Sequence, residues 1–366
     1  MAETKHIGAI AEIISSQIFN EMKWHTGDET DVNWKCCMNS HLTKSQREAK
    51  NPKEKTHPTD IVFSYPDPYD SEVTIYIQTD LKSYKKSTIE NYRGIRSTIG
   101  SLAQQVECSQ KSPEWRGKYL LKQPSKYKVH GMLFIYNHDN EYDDELFDKL
   151  SGVPNSEYSL PENSMMAVFD PRLIRFLLSI VEEINKRRHI PTDTTAKEIL
   201  WQKIPDRDKC GFFYPDKHNK LSVKGGGSSA SLEMITSGML MFSYEHDFFK
   251  RIEGEKVITE RKKILNIFWD EDVKSREAFV FILEYIFNYQ LLNQFDRIYI
   301  STPFSSTSGT YLKDAITYYA GKYSFNNQQL KTVQESIISI PIHTKTVSIY
   351  DFQVGSEQHN RICNFE

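Results

Sequence analysis

Two carboxylates and a lysine in one short stretch of the chain have the residue types of a metal site. Asp60 opens a first predicted strand, and Asp80 and Lys82 stand two residues apart on a second one. Prolines and aspartates at residues 66–71 predict a turn between the strands. If the strands pair across this turn, Asp60 lies opposite or diagonal to Asp80. Apolar and polar residues alternate along the second strand, so Asp80 and Lys82 share its polar face. The stretch therefore predicts a metal site at one edge of a sheet.

Basic residues follow this stretch directly. The net charge is −3 over 366 residues, but residues 82–128 hold eleven Lys or Arg against three Glu. A basic block beside the predicted site indicates contact with an anionic polymer. The candidate phosphate-binding residues are Lys85, Lys86, Arg93 and Arg96. An ordinary solvated face is the alternative interpretation of the same charges.

Composition indicates a globular protein outside the membrane. Hydrophobic residues make up 39% of the chain and charged residues 26%. The sequence has no apolar run of about 20 residues, as a membrane span requires, and it starts without the pattern of a secretory signal. Five irregularly spaced cysteines fit a reducing compartment. We therefore expect a cytoplasmic protein of one large domain or two.

The elements around the candidate site predict a mixed α/β domain over residues 1–190. Helical spacing of apolar residues predicts a first helix at about residues 5–24, with Glu12 inside it. Ser87 and Glu90 have the spacing of a capping box and predict a helix from there to about residue 109. Buried strands are predicted at residues 128–137 and 165–170, and a helix at 172–188.

The C-terminal part of the sequence predicts a second α/β domain, residues 232–366. Residues 191–231, which include three consecutive glycines, predict an irregular linker. Beyond them helices are expected at 257–269, 273–295 and 310–322, and strands at 297–302, 337–342 and 347–354. No second group of carboxylates with a lysine stands out there. We interpret this domain as a scaffold or as a surface for oligomerisation or a partner.

Cys36, Cys37 and His41 raise the possibility of structural zinc. They lie in a polar, basic segment, residues 25–58, that predicts a short helix and a loop able to contact nucleic acid or a partner. Two adjacent cysteines do not have the spacing of a zinc knuckle. The sequence therefore disfavours zinc here.

The order of these residues resembles the PD-(D/E)XK nuclease superfamily. Glu12 on a helix, Asp60 at a strand start, and Asp80-Leu81-Lys82 on the next strand match its motif over residues 5–140. The chain has Thr59 where the motif has the proline. The resemblance implies a restriction-endonuclease-like mixed sheet flanked by helices. It also implies that Asp60, Asp80, Glu12 and the Leu81 carbonyl bind Mg²⁺, with Mn²⁺ as a substitute, and that Lys82 lies near the attacking water or the phosphate.

The function that the resemblance implies is metal-dependent hydrolysis of DNA by an endonuclease. With its fused second domain and no evident sequence-reading module, the chain resembles an effector nuclease of bacterial antiviral defence, for example a Lamassu-type nuclease subunit, more than a stand-alone restriction enzyme. Because cutting both strands of a duplex takes two active sites, we expect a homodimer or higher oligomer, with other protein subunits as partners. The alternative is a non-catalytic nucleic-acid-binding or scaffold subunit that retains the nuclease fold.

Overall fold

The chain folds into two compact units that divide between Ile174 and Arg175. The computed structural model describes residues 2–48, 54–120, 126–150, 160–191, 197–215, 228–252, 255–303 and 307–344. The division lies earlier than the boundary at residue 190 that the sequence suggested. Among the helices within these ranges, none has both the length and the apolar character that crossing a membrane would need.

The first unit is built on a five-stranded mixed sheet. Its strand order is β1-β4-β5-β6-β7, in which β1, β4 and β5 are antiparallel neighbours and β5, β6 and β7 are parallel ones. Strands β2 and β3 form a separate antiparallel pair. The strands in chain order are β1 (His25–Thr26), β2 (Val32–Lys35), β3 (Thr56–Thr59), β4 (Ile61–Pro66), β5 (Val73–Tyr84), β6 (Lys126–Asn137) and β7 (Met166–Phe169).

Helices cover both faces of this sheet, so its central strands are apolar almost throughout. The helices are α1 (Ala2–Glu21), α2 (Lys44–Glu48), α3 (Lys86–Ile89), α4 (Tyr92–Ser109), α5 (Pro113–Tyr119) and α6 (Leu146–Leu150). On one face, the ring centroid of Phe19 of α1 lies 4.7 Å from that of Phe63 on β4. On the other face, Leu102 of α4 belongs to the same buried cluster as Leu133 and Ile135 of β6.

The helix predicted from Ser87 to about residue 109 is interrupted. Ser87 lies inside the four-residue helix α3, and α4 begins only after Asn91. The Asn91 side chain accepts a hydrogen bond from the Gly94 N–H at 3.3 Å and caps α4. Asparagine is as good an N-cap as serine, so Asn91 can begin the long helix in place of the predicted cap Ser87. The expected capping box is therefore wrong.

The second unit has its own five-stranded sheet with helices on it. The strand order is β8-β9-β10-β11-β12. Its elements are α7 (Pro171–Arg188, whose first turn belongs to the first unit), α8 (Lys197–Leu200), β8 (Cys210–Phe212), α9 (Leu232–Thr236), β9 (Met239–Ile252), β10 (Glu255–Trp269), α10 (Arg276–Asn288), β11 (Arg297–Ser301), α11 (Ser308–Lys322), α12 (Asn327–Ser336) and β12 (Ile337–Ser339). The expected α/β architecture of both parts is thus confirmed.

The predicted helix at 257–269 is wrong, because these residues belong to strand β10. Strand β10 pairs with β9 on one side and with β11 on the other, and residues 264–268 are buried. A strand buried on both faces has an apolar run without alternation, which periodicity alone does not distinguish from a buried helix.

Other boundaries also differ from the sequence prediction. Within the predicted helix 273–295, the α-helix covers Arg276–Asn288 and a 3₁₀ turn covers Leu291–Asn293, and β12 ends at Ser339. Strand β8 lies within the predicted linker and pairs with β9. The three glycines and the predicted strand 347–354 lie outside the described residues.

The two sheets share one topology. In each five-stranded sheet, the first three strands of the order pair antiparallel, and the third, fourth and fifth strands pair parallel. In each, a long helix precedes the sheet, α1 or α7, and another separates the antiparallel hairpin from the next parallel strand, α4 or α10. The second unit therefore repeats the strand order of the first.

Candidate active site

The hairpin of β4 and β5 brings the two predicted carboxylates together. Ile61 pairs with Thr79 at the open end of this hairpin, so Asp60 and Asp80 face each other one residue further on. Asp60 lies in a bend between β3 and β4, while Asp80 and Lys82 are on β5, which continues to Tyr84. The strand register thus fixes the relative positions of the two acids.

Hydrogen bonds hold this group in place. The backbone N–H of Leu81 donates to Oδ2 of Asp60 at 2.6 Å. The Asp60 and Asp80 carboxyl groups are near enough for the charge of Asp80 to raise the pKa of Asp60. Nζ of Lys82 donates to Oδ1 of Asp80 in an ion pair whose members are both largely buried. Two acids and one lysine therefore form a compact, connected cluster.

Burial and mutual repulsion shape the charges of this cluster. The pKa of Asp60 is raised to about 6, mainly by burial and then by the Asp80 charge, although the Leu81 N–H and Lys82 act against the rise. Burial alone would lower the pKa of Lys82, but the neighbouring Asp80 and Asp60 outweigh it and raise that pKa. The lysine therefore carries its charge at neutral pH. Two crowded carboxylate groups are oxygen ligands of the type that a hard divalent cation prefers.

The comparisons with known proteins agree with this arrangement. Residues 1–173 match the family model described as the GAPS4 protein PD-(D/E)XK nuclease domain. These residues are a PD-(D/E)XK nuclease domain. The match supports an antiviral-defence context. The matched family model is named for the GAPS4 protein. The more specific Lamassu-type assignment therefore stays a prediction. No curated protein and no solved structure matches the chain.

Glu12 and Asp31 add carboxylates to the nuclease domain's candidate site. Helix α1 packs on β5 and carries Glu12, whose side chain is exposed. The pKa of Glu12 is raised by partial burial and then by the charges of Asp31 and Asp60. The Asp31 backbone N–H donates to the Asp60 carbonyl oxygen at 2.9 Å. The sequence analysis missed Asp31, because it lies in a loop before β2 where no spacing links it to the hairpin.

Gln78 lies two residues before Asp80 on β5 and holds this part of the strand through buried hydrogen bonds. It is fully buried, and its side-chain oxygen accepts from Nε1 of Trp115 at 2.9 Å. Its Nε2 donates to Gln105 at 3.0 Å and to Thr59 at 2.8 Å. These bonds join β5 to α5, α4 and β3 and fix the strand that carries the catalytic candidates.

The predicted phosphate-binding residues lie after β5 on the nuclease domain. The side chains of Lys85, Arg93 and Arg96 are exposed, and that of Lys86 is half-buried. The Lys86 backbone N–H donates to Asp139 at 3.0 Å, and the Arg96 guanidinium donates to the Lys149 carbonyl at 3.4 Å.

Other members of the basic block form local ion pairs. These pairs are Lys118 with Glu29, Lys126 with Glu72 and Lys128 with Asp67. The charges nearest to β5 and on the first turns of α4 are therefore the better candidates for phosphate contact.

Proposed function

We propose that this nuclease domain hydrolyses phosphodiester bonds of DNA with the help of Mg²⁺, for which Mn²⁺ would substitute. The observation that carries the proposal is the connected cluster of Asp60, Asp80 and Lys82 at the open end of the hairpin. The donor set fits the cation. Burial and then the charge of Asp80 raise the pKa of Asp60, so the two carboxylates gain from a positive charge between them. The Leu81 carbonyl and Glu12 complete the proposed ligand set.

Each residue of the cluster has a role in this reaction. A bound divalent cation would neutralise charge on the phosphate and increase the acidity of the attacking water. Asp60 must be ionised to act as a ligand, and the Leu81 N–H orients its carboxylate. The charged Lys82, which Asp80 holds in an ion pair, would contact the phosphate or the attacking water. Exposed Lys85 and Arg93 would hold the flanking backbone.

The biological setting that we propose is an effector nuclease of antiviral defence in the cytoplasm. The name of the matched family supports it. Because both strands of a duplex must be cut, we propose a homo-oligomer, with further protein subunits controlling it. If the wild-type chain bound DNA without cleaving it, the alternative of a non-catalytic subunit would be supported instead. The intact group of two acids and a lysine favours the enzyme.

The test is cleavage of plasmid and linear duplex DNA by the full-length chain in Mg²⁺ or Mn²⁺. Lys82→Ala should lower the rate about 10²-fold or more, as expected for loss of a charge that stabilises the transition state. Lys126→Ala is the matched control, because this exposed lysine of the same domain pairs only with exposed Glu72 among the ion pairs described. If the wild type is inert with both metals in every oligomeric form, the catalytic proposal fails. If Lys82→Ala cuts as fast as Lys126→Ala, the site assignment fails.

A further inference from the structure

Four side chains with zinc-binding atoms converge in the first unit, and none of them belongs to the proposed catalytic cluster. Cys36 follows β2, His41 ends a 3₁₀ turn (Asn39–His41), His57 is on β3, and Cys108 is in the last turn of α4. One ligand atom from each lies within 4.8 Å of all the others. The sequence separates them by up to 72 positions, and the fold brings them to one point.

The distances among these atoms match those expected of a tetrahedral site. Sγ of Cys36 lies 3.5 Å from Nδ1 of His41 and 3.9 Å from Sγ of Cys108. With Zn–S bonds of about 2.3 Å and Zn–N bonds of about 2.0 Å, neighbouring ligand atoms of a tetrahedron are about 3.3–3.8 Å apart. The remaining pairs of ligand atoms lie within 4.8 Å of each other, so they need to approach by at most about 1.5 Å to reach that geometry.

His57 supplies independent evidence for a ligand. It is 3% exposed, and its Nε2 has no hydrogen-bond partner within the part of the chain that the structure describes. A buried nitrogen without a partner is destabilising, and a metal ion would satisfy it.

His41 is oriented as a metal ligand. Its Nε2 contacts Oε2 of Glu107 at 2.9 Å, while its Nδ1 is directed toward Cys36. A carboxylate on the far nitrogen is the usual way in which proteins fix the ring of a metal-binding histidine. Glu107 immediately precedes Cys108, so one turn of α4 provides both a ligand and the group that positions another.

We propose that Cys36, His41, His57 and Cys108 bind one structural Zn²⁺ ion. Two thiolates with two imidazoles are a donor set that selects zinc over Mg²⁺ or Ca²⁺. Four protein ligands leave no coordination position for a substrate, so the site is structural. The ion would join the β2–β3 pair to α4. Since β3 ends one residue before Asp60, it would also hold the strand that leads into the catalytic cluster.

Cys37 distinguishes this proposal from a thiol pair. Its backbone N–H donates to Sγ of Cys108 at 3.1 Å, and its own exposed Sγ lies 3.3 Å from Sγ of Cys108. A disulfide between Cys37 and Cys108 would remove Cys108 from the ligand set. In the zinc site, Cys37 contributes its N–H to the Cys108 sulfur and its side chain is dispensable.

The test is the metal content of the full-length chain after expression in zinc-supplemented medium and dialysis without a chelator, measured by plasma mass spectrometry and native mass spectrometry. About one zinc per chain is expected in the wild type, in Cys37→Ser and in Asp80→Asn, which disables the proposed catalytic cluster. Cys108→Ser and His57→Gln should lose most of it. A wild type without zinc, a Cys108→Ser protein that retains it, or a Cys37→Ser or Asp80→Asn protein that loses it would each overturn the assignment.

A second measurement does not depend on how the variants fold. A thiol-reactive mercurial titrated into the wild type should release the zinc as thiolates are modified, and cobalt exchanged into the protein should show the intense visible bands of tetrahedral thiolate coordination. Zinc release without thiol modification, or octahedral cobalt spectra, would contradict a site with two cysteines. Neither readout involves nuclease activity, so the zinc proposal and the proposed function fail separately.

Discussion

Asp60→Asn should stabilise the protein at neutral pH while abolishing cleavage. The Asp60 carboxylate is largely buried and faces the charge of Asp80, and its pKa is raised from 3.8 to about 6. This rise of the pKa corresponds to about 3 kcal/mol by which folding disfavours the ionised group. The asparagine retains an acceptor for the Leu81 N–H, but a neutral acceptor is weaker by about 1 kcal/mol. We therefore expect a net gain of about 1–2 kcal/mol.

The pH dependence of this gain has a defined sign. A carboxyl group whose pKa is raised in the folded state binds a proton more tightly there than in the unfolded chain. Between pH 4 and pH 6 the wild type therefore loses stability relative to the asparagine variant as the pH rises, and above pH 6 the difference is constant. Below pH 4 the charge effect disappears, and only the altered hydrogen bond remains.

Thermal unfolding of the full-length chain from pH 4 to pH 8 measures this difference. The experiment is done without added Mg²⁺ and without a chelator, since a chelator would also remove the proposed zinc. An exposed acid, Glu72, provides the control, because Glu72→Gln removes a surface ion pair, and such pairs contribute little to stability. Adding Mg²⁺ should stabilise the wild type more than Asp60→Asn. An Asp60→Asn protein less stable than wild type at pH 7, or a difference that does not vary with pH, would refute the electrostatic argument.

Three further predictions follow from local geometry. In Gly131→Ala the added methyl group would lie 2.7 Å from the Met166 sulfur, so the free energy of unfolding should fall by about 1–3 kcal/mol. Gly117→Ala is the control, because nothing lies within 4 Å of its added methyl group, and it should be neutral or stabilising. The buried Arg187 side chain donates hydrogen bonds to acceptors on α7, β10 and β11. Arg187→Leu leaves these acceptors without their donor, so the free energy of unfolding, measured with denaturant, should fall by about 3–5 kcal/mol. At limiting Mg²⁺ the cleavage rate should rise with pH through about pH 6, as Asp60 ionises; a flat profile would count against its role as a ligand.

The hairpin could be predicted from sequence because its signals are local. A turn with two prolines and two aspartates separates two strands, and period-two alternation puts Asp80 and Lys82 on one face. Counting back along the antiparallel register then places Asp60 opposite Asp80, as the pairing of Ile61 with Thr79 requires. None of these steps depends on residues far away in the chain.

The features that sequence reasoning missed depend on distant contacts. The sequence disfavours zinc at Cys36 and His41, because the other two ligands proposed here come from β3 and from the end of α4. Strand β10 was interpreted as a helix because its neighbours β9 and β11 bury both of its faces. In both cases local spacing is uninformative, since the decisive neighbours become adjacent only in the folded sheet.

The repeated topology allows the proposed catalytic cluster of the first sheet to be compared with the matching positions of the second. In the second sheet, Met239 pairs with Trp269 at the open end of the β9–β10 hairpin, as Ile61 pairs with Thr79 in the first. Asp60 immediately precedes Ile61, and Gly238 immediately precedes Met239, so these two residues correspond. Gly238 has a left-handed φ of 70° and no side chain that could bind a metal. Asp80 and Lys82 correspond to Asp270 and Asp272, so an acid replaces the lysine.

The charge that should contact a phosphate is therefore reversed in the second sheet, and the carboxylate opposite it is missing. The second unit repeats the frame without the groups that would make it reactive. Within the described residues the two sheets provide one proposed cutting site, so we expect cleavage of both strands of a duplex to require a second chain or a second encounter with the DNA. The oligomer that we propose follows from this asymmetry rather than from any contact surface.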